Sequence, residues 1–237
     1  MSETANLSLP LLQPAQAQKH VTVNEALLRV DAAAMLVLEA LDVTQPPATA
    51  AEGQAWAVGP GAVNEWLGQD GKIALSAGGG WAFLTPASGW RAFVRSISAM
   101  AVHDGQGWRP DLVTLSAGGA GLQLRALEFD HVLGAEAVST TTTAIPAGAL
   151  VIGVTGRVIE DITGGPTSWS LGVTGAENRY GSGIGVAKNA WVRGLTQSPQ
   201  AYYSPTPLVL TPDAGSFASG RVRLSIHLAE LALPDAV

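Results

Sequence analysis

Near the C-terminus Val222, Leu224, Ile226 and Leu228 alternate with Arg221, Arg223, Ser225 and His227. Successive strand side chains point to opposite faces, so a period of two predicts a half-buried antiparallel strand with one row in a core and the other toward solvent or a neighbour. Leu150, Ile152, Val154 and Val158 repeat the pattern, as do Trp169, Leu171 and Val173 against Ser168, Ser170 and Gly172. Ile162-Thr163-Gly164-Gly165-Pro166 reads as the turn joining those two strands. Short strands at such intervals predict an antiparallel β-sandwich of jelly-roll type over residues 136–237.

The first part of the chain has a different period. Thr22 stands three before Glu25 as a capping box, and Glu25 stands one turn before Arg29. These signals predict a helix over 23–42, with Leu27, Val30, Ala34, Val37 and Leu41 as an apolar stripe that Leu28, Met35 and Leu38 widen. Gln45-Pro46-Pro47 ends it. From 53 to 95, short apolar runs broken by Gly59-Pro60-Gly61, Asp70-Gly71 and Gly78-Gly79-Gly80 predict a small β module. Trp56, Trp66, Trp81 and Trp90 are assigned to its core, a sugar-stacking platform being the alternative. The echo of Trp81-Ala82-Phe83 in Trp90-Arg91-Ala92-Phe93 predicts facing strands. Residues 96–135 read as a connector with some β structure, including a hairpin tip at Asp104-Gly105-Gln106-Gly107-Trp108. The expected fold is therefore mainly β: helix and Trp-rich module over 1–95, connector over 96–135, sandwich over 136–237.

Composition narrows the function classes. Across 237 residues, 47% hydrophobic against 14% charged excludes a disordered acidic chain, and 28 glycines with 14 prolines interrupt it too often for long helices. A net charge of −6 without any lysine cluster argues against nucleic acid as a partner. With no cysteine, stability must come from packing and subunit association, which fits assembly in a reducing cytoplasm. Met1-Ser2-Glu3-Thr4 lacks the basic and apolar regions of a signal peptide, and the apolar run Ala32 to Leu38 is too short to span a membrane. A soluble chain without membrane insertion is expected.

Candidate chemistry is sparse. His20, His103, His131 and His227 are too scattered for a local zinc pair, so no metal is expected. Gly181-Ser182-Gly183-Ile184-Gly185 opens no predicted helix and reads as a glycine-rich strand or bulge, not as a phosphate loop. Glu160, Asp161, Glu177 and Asp213 qualify as glycosidase carboxylates by residue type alone. No catalytic residue and no cofactor is expected, and the chain is read as a non-enzyme. Asn178, Arg179, Tyr180, Trp191, Arg193, Tyr202 and Tyr203 form a candidate glycan surface, because aromatic faces stack on sugars while Arg and Asn fix hydroxyls. Trp169 is assigned to the core, and a subunit interface is the alternative for the others.

The block Leu11-Leu12-Gln13-Pro14-Ala15-Gln16-Ala17-Gln18-Lys19-His20-Val21-Thr22-Val23-Asn24-Glu25-Ala26-Leu27 resembles the opening of a family of phage and gene-transfer-agent proteins from alphaproteobacteria. The resemblance continues through Gly80-Trp81-Ala82-Phe83-Leu84-Thr85-Pro86 and Gly89-Trp90, covering about the first 95 residues. Ile145-Pro146-Ala147-Gly148, Arg179-Tyr180-Gly181-Ser182-Gly183 and Tyr203-Ser204-Pro205-Thr206-Pro207 are similar to C-terminal domains attached to that opening in fibre-like proteins. It implies a head spike or tail fibre on the surface of a virion or virus-like particle. Its N-terminal region would dock to other particle proteins, and its distal domain would bind host capsular polysaccharide. Such fibres pair identical β domains about an axis, which makes a homo-oligomer, a trimer first, the expected state.

Overall fold

The computed structural model describes residues 3–12 and 19–236, so Gln13 to Gln18 of the N-terminal block lie outside the described residues. The chain forms two compact units, Met1–Leu112 and Val113–Val237. The fold is mainly β, as the alternation predicts, with a helix near the start.

In the first unit, α1 spans Lys19–Ala34. The strands are β1 (Val37–Leu38), β2 (Ala55–Ala57), β3 (Ile73–Ala77), β4 (Gly80–Leu84), β5 (Arg91–Val94), β6 (Ala99–His103) and β7 (Trp108–Pro110). They make two sheets, β2-β3-β4 and β1-β5-β6-β7. The helix departs from expectation in three ways. Thr22 lies within it and not at a cap, and it stops at Ala34 because Val37 and Leu38 pair with Phe93 and Val94 in the second sheet. Its apolar stripe is also not its buried side: Val30 and Met35 are exposed, while Ala32 and Asp31 are buried. Burying a carboxylate is costly unless it is hydrogen-bonded, and Asp31 is. It accepts from the Thr4 hydroxyl (2.6 Å), Leu7 N–H (2.6 Å) and Asn6 N–H (3.0 Å). These bonds outweigh burial and hold the Asp31 pKa below its ordinary value. Asn24 likewise bonds both backbone groups of Leu12, at 2.9 and 3.0 Å. Residues 3–12 are thus strapped to α1 by polar side chains. The Glu25–Arg29 pair forms at 2.7 Å.

Trp56, Trp66 and Trp81 pack with ring centroids 5.1–6.3 Å apart, and Trp66 is fully buried, which makes them core. The echoed segments do not pair with each other: β4 and β5 belong to different sheets, and while Trp81 and Phe83 pack on the tryptophan cluster, Leu84, Ala92 and Val94 share a second cluster with Leu38 and Ile73, against which Trp90 and Trp108 pack. The Asp104 hairpin tip is as expected, with His103 paired to Trp108.

The second unit contains β8 (Leu112–Leu115), β9 (Gly121–Leu133), β10 (Ser139–Ile145), β11 (Leu150–Gly164), β12 (Ser168–Val173), β13 (Ala176–Gly185), β14 (Trp191–Ala201), β15 (Thr206–Pro212) and β16 (Phe217–Ala232). One sheet has the order β10-β15-β12-β13 and the other β14-β11-β16-β9-β8. From β9 to β16 the chain changes sheet at every connection except the β12–β13 hairpin. That is the winding of a jelly roll. Val222, Leu224, Ile226 and Leu228 fill its interior with Val154, Val158, Trp169 and Leu171.

Three expectations are corrected. Residues 96–135 are not a connector: β6 and β7 complete a sheet of the first unit, and β9 pairs with β16 along its whole length. The glycine turn after Ile162 does not make a hairpin, since β11 and β12 lie in opposite sheets. Leu150 and Ile152 are exposed because the register shifts between Val151 and Gly153, so that Val151, not Ile152, enters the core. The glycine run 181–185 lies in a strand with shifted register, as predicted.

Candidate functional site

The register of the five-stranded sheet places side chains on its open face in rows. Trp191, Arg157, Arg223 and Asp130 make one row across β14, β11, β16 and β9, and Arg193, Thr155, Ser225 and Glu128 make the next. Between them lies a groove of about 430 Å³. Its floor exists because the alternate residues Val154, Val192, Leu224 and Ile226 are drawn into the core, which leaves the polar set facing outward.

Each group in the groove is held in a different way. Arg223 forks onto Asp130 at 2.6 and 2.9 Å. That bidentate pair, a geometry suited to guanidinium and carboxylate, lowers the Asp130 pKa and raises that of Arg223. Arg193 lies over the Trp191 ring, 5.9 Å from its centroid, within cation–π range. Arg157 donates to the Asn189 carbonyl at 3.3 Å. Thr155 bonds His227 at 2.9 Å, one row further on. Trp191 remains 62% exposed, an unusual cost for so large an apolar ring unless something covers it.

The candidate glycan surface does not hold together as one patch. Trp191 and Arg193 stand in the groove. Tyr180 and Tyr202 are buried and bond each other through their hydroxyls at 2.7 Å. Burial, reinforced by that bond, pushes the Tyr180 phenol far above its usual range, so both belong to the core and not to a binding surface. Asn178 and Arg179 are exposed on β13, at the edge of the other sheet, where Arg179 bonds Gln200 at 2.9 Å. Tyr203, 91% exposed, follows the end of β14 opposite Trp191. Thr155, Arg157, Ser225, Arg223 and Glu128 were not in the candidate set. The alternating row containing Arg223 and Ser225 was the signal that could have found two of them.

The acidic residues considered for hydrolysis have other engagements. Glu160 pairs with Arg221, Asp161 accepts from Lys188 N–H at 2.6 Å, Glu177 from Gly175 N–H at 2.8 Å, and Asp213 from Thr167 at 2.6 Å. None of them lines the groove. Among the described residues, no three histidine or acidic side chains gather as metal ligands.

Comparison with known proteins bears on the first unit. Residues 23–109 match the family model described as "Protein of unknown function (DUF2793)". The match runs from within α1 to β7, takes in the Trp81 and Trp90 segments, and ends before the jelly roll begins. No curated protein matches the chain. Among solved structures, a chain described as "Cyanophage Pam1 capsid asymmetric unit" is similar over 50% of this chain and 94% of that one, at 22% identity and a TM-score of 0.31. No helix among the described residues is long and apolar enough to cross a membrane.

Proposed function

We propose that this chain is a non-catalytic structural subunit of a phage-like particle, a spike or fibre on a virion or gene-transfer agent, that binds host surface polysaccharide through the groove beside Trp191. The observation that carries this reading is the groove itself: an exposed tryptophan bordered by guanidinium and hydroxyl groups on the open face of a jelly-roll sheet. Ring faces stack on sugar C–H surfaces while the polar border fixes hydroxyls. The jelly roll supports it as an architecture of viral capsid and lectin domains. The N-terminal unit, with Val23 and Val30 exposed on one face of its helix, is the proposed mount on other particle proteins.

Assembly into a homo-oligomer, a trimer first, is part of the proposal. Beyond the groove the open face turns apolar, with Leu124, Leu150, Ile152, Leu195 and Leu231 exposed together near the other end of the sheet. Contiguous apolar surface of this kind is normally covered, and a second copy of the chain is the proposed cover. A glycan array probed with the full chain should show binding that Trp191→Ala weakens about tenfold, the upper range for one aromatic contact, while light scattering at micromolar concentration shows an oligomer for both proteins. An array without any bound glycan would refute the ligand, and a monomer would refute the assembly.

A further inference from the structure

We propose that the groove selects an acidic saccharide and that Arg157 and Arg193 form its carboxylate-binding pair, an inference that rests on the saccharide reading above. The arginines of this face are not equivalent. Arg223 and Arg221 are each neutralised by a carboxylate, Asp130 and Glu160. Arg157 meets a neutral carbonyl, and Arg193 meets the face of a neutral ring. Neither forms an ion pair with a carboxylate among the described residues, although acids outnumber bases in the chain by 19 to 13.

Their placement makes them a pair. Arg193 is the register partner of Thr155, and Arg157 that of Trp191, so the two arginines are diagonal neighbours on adjacent strands, roughly 7–8 Å apart at the backbone. Long side chains at that separation converge on one anion, and a planar guanidinium matches a carboxylate through paired N–H donors. Both are already oriented, Arg157 by the Asn189 carbonyl and Arg193 by the indole, so less freedom is lost when an anion binds. Across the groove, three strand spacings or about 14 Å from Arg193, stands Glu128. It accepts hydroxyls and repels acids. A uronic-acid sugar thus has one orientation: carboxylate at Arg157 and Arg193, ring on Trp191, hydroxyls over Thr155 and Ser225 toward Glu128.

Calorimetric titration of the full chain with oligogalacturonate, oligomannuronate and hyaluronan hexasaccharides, each beside its carboxyl-reduced neutral counterpart, tests this. At least one acid form is expected to bind tenfold or more tightly than its reduced partner, with an affinity that falls as salt rises. The Arg157→Gln/Arg193→Gln double variant should bring the two forms within about twofold of each other. Arg179→Gln, an exposed arginine on β13, should leave the preference intact, and Glu128→Gln should tighten the acid form. Melting curves that match wild type confirm folding of each variant. Reduced oligosaccharides binding as well as the acids, in a Trp191-dependent manner, would overturn the acidic preference and leave the saccharide reading standing. An acid preference untouched by the double variant would overturn the assignment of the arginines. No binding of either form would remove both readings.

Discussion

His131 and His103 each make one hydrogen bond whose direction their surroundings determine. The Ser139 hydroxyl gives its hydrogen to Glu136 at 2.5 Å, so it accepts from His131 Nε2–H at 2.7 Å. His103 Nδ1 accepts from Gly105 N–H at 3.2 Å and must be bare. Burial lowers both pKa values below the ordinary 6.5, against the opposing pull of Glu136 and Asp104 respectively. Well above pH 6.5 the histidines of the unfolded chain are neutral, and so are those of the folded chain with their lower pKa, so stability does not vary with pH through them. As pH falls below that value the unfolded chain takes up protons first, and stability declines until the folded pKa is passed, by up to about 1.4 kcal/mol per pH unit for each histidine. Urea midpoints of the second unit at pH 7.5 and 5.5 should therefore differ in wild type and draw together in His131→Gln, whose amide can still donate to Ser139. Equal pH dependence in both proteins would contradict the assignment. At this scale the sequence was least legible. Tyr180 and Tyr202 have the residue types of a sugar platform, and only the fold shows their hydroxyls satisfied by each other.

Elements were legible where one face of a strand is apolar and the other polar, as in β16. The thirteen-residue β9 was missed because its rows are mixed: Arg125 and His131 sit in the inward row, while Leu124 and Val132 sit in the outward one. The helix end was misjudged because Val37 and Leu38 continue an apolar helical period yet are taken by a sheet through pairing with β5, a contact that no local pattern records. Glycines inside strands carry a clearer meaning. A Cβ on Gly194 would stand 2.0 Å from the Tyr180 carbonyl oxygen, since β13 and β14 bring their backbones together there. On Gly156 the nearest atom would be the tip of Leu224, at 2.7 Å, with the Arg223 carbonyl oxygen and a Val192 methyl at 3.2 Å. A backbone cannot yield as a side-chain end can, so Gly194→Ala should cost about 3 kcal/mol and Gly156→Ala about 1 kcal/mol, the two ends of the range for overpacking. Gly134→Ala, with open space around it, should change little. Thermal and urea denaturation would measure all three, and a Gly194→Ala protein as stable as Gly134→Ala would show that the strands can part at no cost.

For the whole molecule, the jelly-roll class could be read from strand spacing, but strand order could not. Order depends on which edges meet across more than a hundred residues, as β9 and β16 do. The division at residue 112 was also hidden, since β7 and β8 are almost continuous and differ only in the partners they find. Each unit nevertheless has its own interior: the tryptophan cluster and the Leu38–Ile73–Val94 cluster lie wholly before the division, and the sandwich core lies wholly after it. Separate cores are separate cooperative units when unfolding exposes them independently. Gly194→Ala places its damage entirely in the second. Near-ultraviolet circular dichroism, dominated in the first unit by the closely packed Trp56, Trp66 and Trp81, should then keep its wild-type urea midpoint in this variant. The midpoint reported by exposure of Trp169 in the sandwich core should fall. Both signals shifting together by the same amount would mean that the two interiors unfold as one and that the division at residue 112 is geometric only.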